Sequence, residues 1–424
     1  MSDVDAVDFF TDNAVLHDPY DYLAALRGEC PIRREKHHDV MMVTGYDEAL
    51  AIYNDTERFS SCTSVTGPFP GFPVPLDGDD ISELIAAHRD RLPMSDQLPT
   101  LDPPVHTDHR ALLSRMITPK RLKENEEFMW RLADRQYDIA LTEGRCEFND
   151  NYANPFAMLV IADLLGVPEA DHEGFRTALL GNTIGASNGE SLEHTPLGYL
   201  YDKFTEYISE RRENPGDDVL TGVATATFPD GSTPDVLDAV RVASNLFAAG
   251  QETTVRLLGT AVMLIAEDPV LQAKLRADRT LLPNFIEETL RYESPIRGDF
   301  RLSKVPVTVG EVDIPAGTTM MLVNAALNRD PRRFPEPDVF DIERRNARSH
   351  VAFGRGPHSC PGAPLARAEA LISLQRLFDR TDNIWIDPEH HGLPGERRYK
   401  YLRTFILRGL KTLHIRFDPA DTTG

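Results

Sequence analysis

The chain has 424 residues, 41 % of them hydrophobic and 26 % charged, a composition able to bury a large core. Its formal net charge of −22 excludes nucleic acid as the main partner, because phosphate binding needs clustered Lys and Arg. Cys30, Cys62, Cys146 and Cys360 are widely spaced with no CxxC, which argues against a disulfide framework and for a reducing, cytoplasmic setting. From the N-terminus, MSDVDAVDFF is acidic and has no basic stretch of a targeting signal. Val65 to Pro104 differs from its surroundings: TGPFPGFPVPL is rich in proline and apolar residues, the pattern either of a binding loop or of a loop packed on the core. From about Asp108 to Glu213 the pattern is helical, with breaks at Pro119, Gly144 and Pro168.

The longest helical pattern is STPDVLDAVRVASNLFAAGQETTVRLLGTAVMLIAEDP. Ser232 or Thr233 can cap it, Pro234 suits its first turn and Asp268-Pro269 ends it. It is apolar on several faces and is expected to run through the core. Its most membrane-like run, Leu257 to Ala266, is too short to span a bilayer. A shorter helix, PNFIEETLRY, follows, and then strand-like alternation in VPVTVGEVDIPAGTTMMLV. APLARAEALISLQRLFDR then reads as an amphipathic helix starting just past Cys360.

The stretch before that helix, FGRGPHSCPG, sets Cys360 among three glycines at a helix start, where backbone N–H groups and the dipole favour a thiolate. Gly354, Gly356 and Gly362 would let the backbone approach a bulky planar group. Zinc fits poorly, since only His358 lies close in sequence. A quiet cysteine in a tight turn and a Cys–His nucleophile both remain open on these residues alone.

The pattern Phe-Gly-x-Gly-x-x-x-Cys-x-Gly, with Phe353, Gly354, Gly356, Cys360 and Gly362 in place, resembles the haem-ligating loop of the cytochrome P-450 family. Further elements of that family recur in order: AGQETT in the long helix, EETLR with Glu288 and Arg291, FDIER with Arg344, and DPPVHTDHR. The resemblance runs from about Asp18 to the C-terminus. It implies a single triangular domain over 1–424, mainly α with a minor β component, with a helix-rich core at about 105–295 and 360–380. Small β elements are expected at about 300–325 and 395–417, with haem between the long helix and the cysteine loop.

By the same resemblance Cys360 is the axial thiolate of haem b, and Phe353 packs beside it. His106, Arg110, Arg301 and His358 hold the propionates, and Ala249 faces the porphyrin. Glu252 and Thr253 form an acid–alcohol pair that relays protons, while Glu288, Arg291 and Arg344 form a structural network. Pro361 cannot donate an N–H to the sulfur, which predicts an electron-rich thiolate and a lowered potential. The substrate pocket is expected to draw on Phe69, Phe72, Val74 and Leu76 from the proline-rich loop. Asn245, Ala248 and Ala249 would join from the long helix, Pro295 and Ile296 from beyond EETLR, and Ile406 and Leu407 from the C-terminal turn. Asn245 is either a polar anchor or bonded within its helix.

The activity implied is monooxygenation of a hydrophobic small molecule (terpenoid, steroid, fatty acid or aromatic) with O2. A peroxide-driven peroxygenase and a non-catalytic haem sensor or carrier are the alternatives. With no flavin or iron–sulfur segment, electrons would come from a ferredoxin and its NAD(P)H-dependent reductase. Lys120, Arg121, Lys123 and Arg355 suggest either a docking patch for an acidic ferredoxin or a solvated charged face. A monomer with no membrane or nucleic-acid partner is expected.

Overall fold

The computed structural model describes residues 4–179 and 195–420. Its axis is the helix Val236–Glu267, 32 residues and about 48 Å at ~1.5 Å per residue. The cap is Asp235, whose carboxylate accepts from the Asp238 N–H, rather than Ser232 or Thr233. Ser232 is engaged one turn earlier, donating to Asp230, so the first free carboxylate after Pro234 takes the cap. At the other end Asp268 caps both this helix and the next one, Pro269–Ala277.

Helices Asn154–Leu165, Thr195–Glu213 and Ala363–Arg380 pack around this axis, and Pro119–Ala140 closes the outside. Almost every residue of Asn154–Leu165 is buried, as its unbroken apolar run NPFAMLVIADLL requires. At Gly259 a side chain is excluded, because a Cβ there would lie 2.6 Å from Asn149 Oδ1. The helical pattern of 108–213 breaks where expected, although its part at 180–194 lies outside the described residues. Among the described residues no helix is long and apolar enough to cross a membrane.

Four short strands fall at about 300–325, as the sequence pattern suggests, but the β component also takes in strands at 32–60, 145–147 and 381–386 that it does not show. One sheet orders Ile32–Arg34, Met41–Val43, Thr319–Leu322, Asp299–Ser303 and Phe59–Ser60. All its pairings are antiparallel except Met41–Val43 with Thr319–Leu322. Val307–Val309 and Val312–Ile314 form a separate hairpin. The second sheet joins His414–Pro419 to Arg145–Glu147 and to Thr381–Ile386, whereas 395–413 is irregular apart from isolated bridges. Strands of two or three residues are too short to leave an alternation in sequence, and they persist because both faces are covered.

The proline-rich stretch also carries more structure than expected. It contains the helix Ser82–His88 and short 3-10 turns, and it packs on the sheet side of the molecule.

Candidate active site

Cys360 lies on a turn that Gly354 and Gly356 make possible, both with positive φ, at 62° and 68°. At Gly356 a Cβ would sit 2.3 Å from the Tyr53 carbonyl, so only glycine lets the loop press on the helix Tyr46–Tyr53. The Cys360 N–H donates to Phe353 O at 2.8 Å, closing the loop. The thiol is solvent-accessible although protein surrounds it densely, as for a group lining an interior void. Burial pushes it up, while the Gly362 and Ala363 amides and Arg110 pull the other way and favour the thiolate. Pro361 therefore withholds one N–H, but the next two residues supply theirs.

One face of the central helix is also accessible over part of its length. Ala249 is exposed and Thr253 half-buried, although Ala248, Gln251, Glu252 and Thr254 around them are buried. Asn245, one turn earlier on this face, is also half-buried. Thr253 Oγ1 donates to Ala249 O at 2.9 Å.

Four cationic or donor groups gather beside the cysteine loop. The His106 and His358 rings lie 3.9 Å apart, and Arg110 reaches Ser359 O at 2.6 Å. Arg301, on the strand Asp299–Ser303, is bonded to Asp299 at 2.7 Å. Burial, followed by Arg110, takes His106 down to about 4, and burial, followed by Arg301, takes His358 to about 2. His106 Nε2 is buried without a partner. Of the four, only His106 is left without a partner among the described residues, and an anion bound here would satisfy it and offset the arginine charges that disfavour protonated histidine. A flat dianionic cofactor, seated over the accessible sulfur with its carboxylates against these four groups, fits.

A scan against family models matches residues 202–382 to "Cytochrome P450", here written cytochrome P-450. The monooxygenase PikC of Streptomyces venezuelae is 33 % identical over 413 residues, covering 96 % of this chain and 93 % of that protein. The chain belongs to the cytochrome P-450 family. The vitamin D(3) 25-hydroxylase of Pseudonocardia autotrophica is 31 % identical, with 95 % and 94 % of the two chains covered. The substrate-free structure of Mycobacterium marinum CYP150A6 is 52 % identical and superposes with a TM-score of 0.94 over 99 % of this chain and 100 % of that one. The P-450 is thus a monooxygenase of the fold expected, and its family binds protohaem through a cysteine thiolate.

Other sequence-named residues fall into three groups. Glu288 and Arg291 are fully buried and joined twice at 2.7 Å, and Arg344 Nε meets Glu288 at 3.1 Å. Phe69, Ile296 and Ile406 share one apolar cluster, with Leu407 bridged to Ile296, while Ala248 belongs to the main core and Pro295 is buried. Phe72 and Leu76 instead pack with Cys62, Ile81, Ile85, Leu92 and Leu302, and Val74 is half-buried in neither group. Glu252 departs most: its carboxylate turns away from the exposed face and pairs with Arg256.

Four further residues matter that the motifs did not name. Glu287 accepts from His350 at 3.0 Å and from Arg367, whose guanidinium lies 4.7 Å from the Phe353 ring. Burial opposes its ionisation, yet His350 and Arg367 bring it down to about 2, so the pair clamps the cysteine loop. Glu369 is buried on the helix after Cys360, one turn beyond Leu365 on its apolar face, a placement the helical period could have disclosed.

Burial pushes Glu369 up to about 8 against its ordinary 4.5, with the Thr254 hydroxyl at 3.0 Å offsetting part of it. The folded state therefore holds a proton that the unfolded chain releases, and stability falls as pH rises through that window. Glu369→Gln keeps the shape and removes the titration. It is expected to melt with the parent at pH 5 but above it at pH 8.5, by a few kcal/mol. Thermal unfolding of the two haem-loaded proteins at both values checks this.

Proposed function

We propose that this P-450 hydroxylates a bulky, largely apolar molecule, with electrons from a ferredoxin and its NAD(P)H-dependent reductase. The observation that carries the reading is the accessible Cys360 on its glycine loop, beside two arginines and two adjacent histidines, of which His106 has an unpartnered buried nitrogen. When bound, haem supplies O2 activation and transfer of one oxygen atom. Cys360 is then the thiolate ligand, His106, Arg110, Arg301 and His358 hold the carboxylates, and Phe353 limits water at the sulfur.

The walls assigned to substrate, Ala248, Ala249, Ile296, Ile406, Leu407 and Phe69, are apolar, so shape dominates recognition and Asn245 is the polar anchor on the helix. Among the described residues Asn245 has no side-chain hydrogen bond within its helix, which supports the anchor role. Vitamin D(3), named for one relative, is a molecule of this kind.

For electron entry, Arg115, Lys123 and Arg348 are exposed cations, and Arg348 lies beside the cysteine loop. A cleft of about 160 Å³ beside Cys360 is lined by Arg348, Arg355 and Arg367. Lys120 and Arg121 contribute less, because both pair with Glu124. On a chain of net charge −22 this positive region favours an acidic ferredoxin.

Thr253 Oγ1, once released from Ala249 O, is placed to donate a proton into the cavity, with Glu252 as the acid that resupplies it. Positioned proton transfer is worth roughly 10²–10⁴ in rate, so Thr253→Ala is expected to lower product per electron pair at least tenfold. Haem content and substrate affinity should stay within twofold; parental coupling would remove Thr253 from the relay. The assignment as a whole is tested by screening apolar ligands for haem absorbance shifts, then following labelled O2 into product with a ferredoxin system. Label in water but not in product, or turnover with peroxide alone, would overturn it.

A further inference from the structure

The strongest unassigned feature is the way Glu252 is held. Arg256 follows it by one turn on the central helix, and both residues are buried, with side chains 7 % and 11 % exposed for Arg256 and Glu252. Arg256 Nε donates to Glu252 Oε1 at 2.8 Å, and Nη2 donates to that same oxygen. A guanidinium fork ordinarily takes both oxygens of a carboxylate. Here Glu252 Oε2 accepts no protein hydrogen bond among the described residues.

The arginine itself is fixed. Its Nη1 donates to Leu410 O at 2.6 Å, an oxygen that also accepts from Asn149 Nδ2 at 3.0 Å. Its stem lies along Gly409, where a Cβ would come within 2.4 Å of Arg256 Cδ and 2.9 Å of Cβ and Cγ. Any methyl at position 409 would displace that stem. Of the two ion-pair members, only the arginine has this further anchor, and Glu252 has no other side-chain hydrogen bond among the described residues.

We propose that Arg256 is a positioning residue: it grips one oxygen of Glu252, parks the acid in the helix wall, and sets how readily that acid serves the Thr253 side of the cavity. The proposal rests on the reading of Glu252 and Thr253 as a proton relay. It adds a part of the chain that the family motif does not contain, an arginine tied to the C-terminal segment that also supplies Ile406 and Leu407. The free Oε2 is the oxygen that carries the proton, and the gripped Oε1 is the pivot. A purely structural ion pair would stabilise the helix and do nothing more.

The test compares the parent with Arg256→Gln, Arg256→Lys, Glu252→Gln and the double variant Glu252→Gln/Arg256→Gln, all haem-loaded. The readouts are product per electron pair, its solvent deuterium isotope effect, substrate affinity and the infrared carboxylate band absent in Glu252→Gln. Arg256→Gln should change coupling at least threefold and shift that band, with substrate affinity within twofold of the parent. Lysine restores a charge but not the grip on Leu410 O, so its effect should be smaller and in the same direction; it carries the test if the glutamine variant does not fold. The double variant should couple as Glu252→Gln does. If Glu252→Gln lowers coupling but Arg256→Gln and Arg256→Lys do not, or if the two changes add, the positioning role is wrong. If Glu252→Gln itself couples as the parent does, the relay reading falls and the proposal with it.

Discussion

Glu288→Gln is expected to cost roughly 3–5 kcal/mol, the usual penalty for breaking a buried ion pair from one side. Glu288 and Arg291 have no exposed surface, so no water can replace the lost charge. Arg291 also donates to the carbonyls of Asn328, Pro337 and Val339, and Arg344 to those of Pro335, Glu336 and Val339. One carboxylate thus holds two guanidinium groups that pin the segment before the cysteine loop. A domain with a margin of about 5–15 kcal/mol would be left near its threshold. Little haem-loaded protein should be recovered, and the denaturant midpoint of what remains should fall. The same i,i+3 spacing occurs in Lys203–Glu206 at 3.2 Å on the surface. Removing that pair should change stability by less than about 1 kcal/mol. Equal effects at the two sites would refute the role given to burial.

Cys360→Ser should abolish monooxygenation and the far-shifted carbon monoxide absorption of sulfur-bound haem. The fold should survive, because the loop is closed by the backbone bond from Cys360 N to Phe353 O and by the Glu287–Arg367 clamp, neither of which uses the sulfur. Haem can still be retained by the four donors around His106 and His358. Absorbance of the reduced, carbon monoxide-treated variant and product analysis check both statements; a variant that still hydroxylates would show that the sulfur is not the ligand.

These contrasts explain what could be read from the chain. The cysteine loop, EETLR and the helix Ala363–Arg380 were legible because each is a local pattern: glycines at fixed offsets, an i,i+3 pair, an apolar stripe. Burial is not local. Glu288–Arg291 and Lys203–Glu206 share a spacing, yet only the fold distinguishes them. Glu252 was named by its motif, but its partner was not, although Arg256 stands four residues on in plain view; whether such a pair is gripped depends on Gly409 and Leu410, over 150 positions away. Phe72 and Leu76 were named beside Phe69 from their place in the family pattern, which does not disclose that they pack in a different cluster, with Ile81, Ile85 and Leu302. The N-terminal strands were invisible for a similar reason, being two or three residues long and joined to the rest of their sheet through partners from beyond residue 298.

That last arrangement has a consequence for synthesis of the protein. Met41–Val43 pairs in parallel with Thr319–Leu322, about 280 residues later. At roughly 5–20 residues per second, a ribosome needs about 15–55 s to make the intervening chain. During that interval the nascent MMV strand has only Ile32–Arg34 beside it, and its other edge stays open. Cells making this enzyme must shield that edge until the later strand arrives, so raising chaperone supply should improve the yield of native protein.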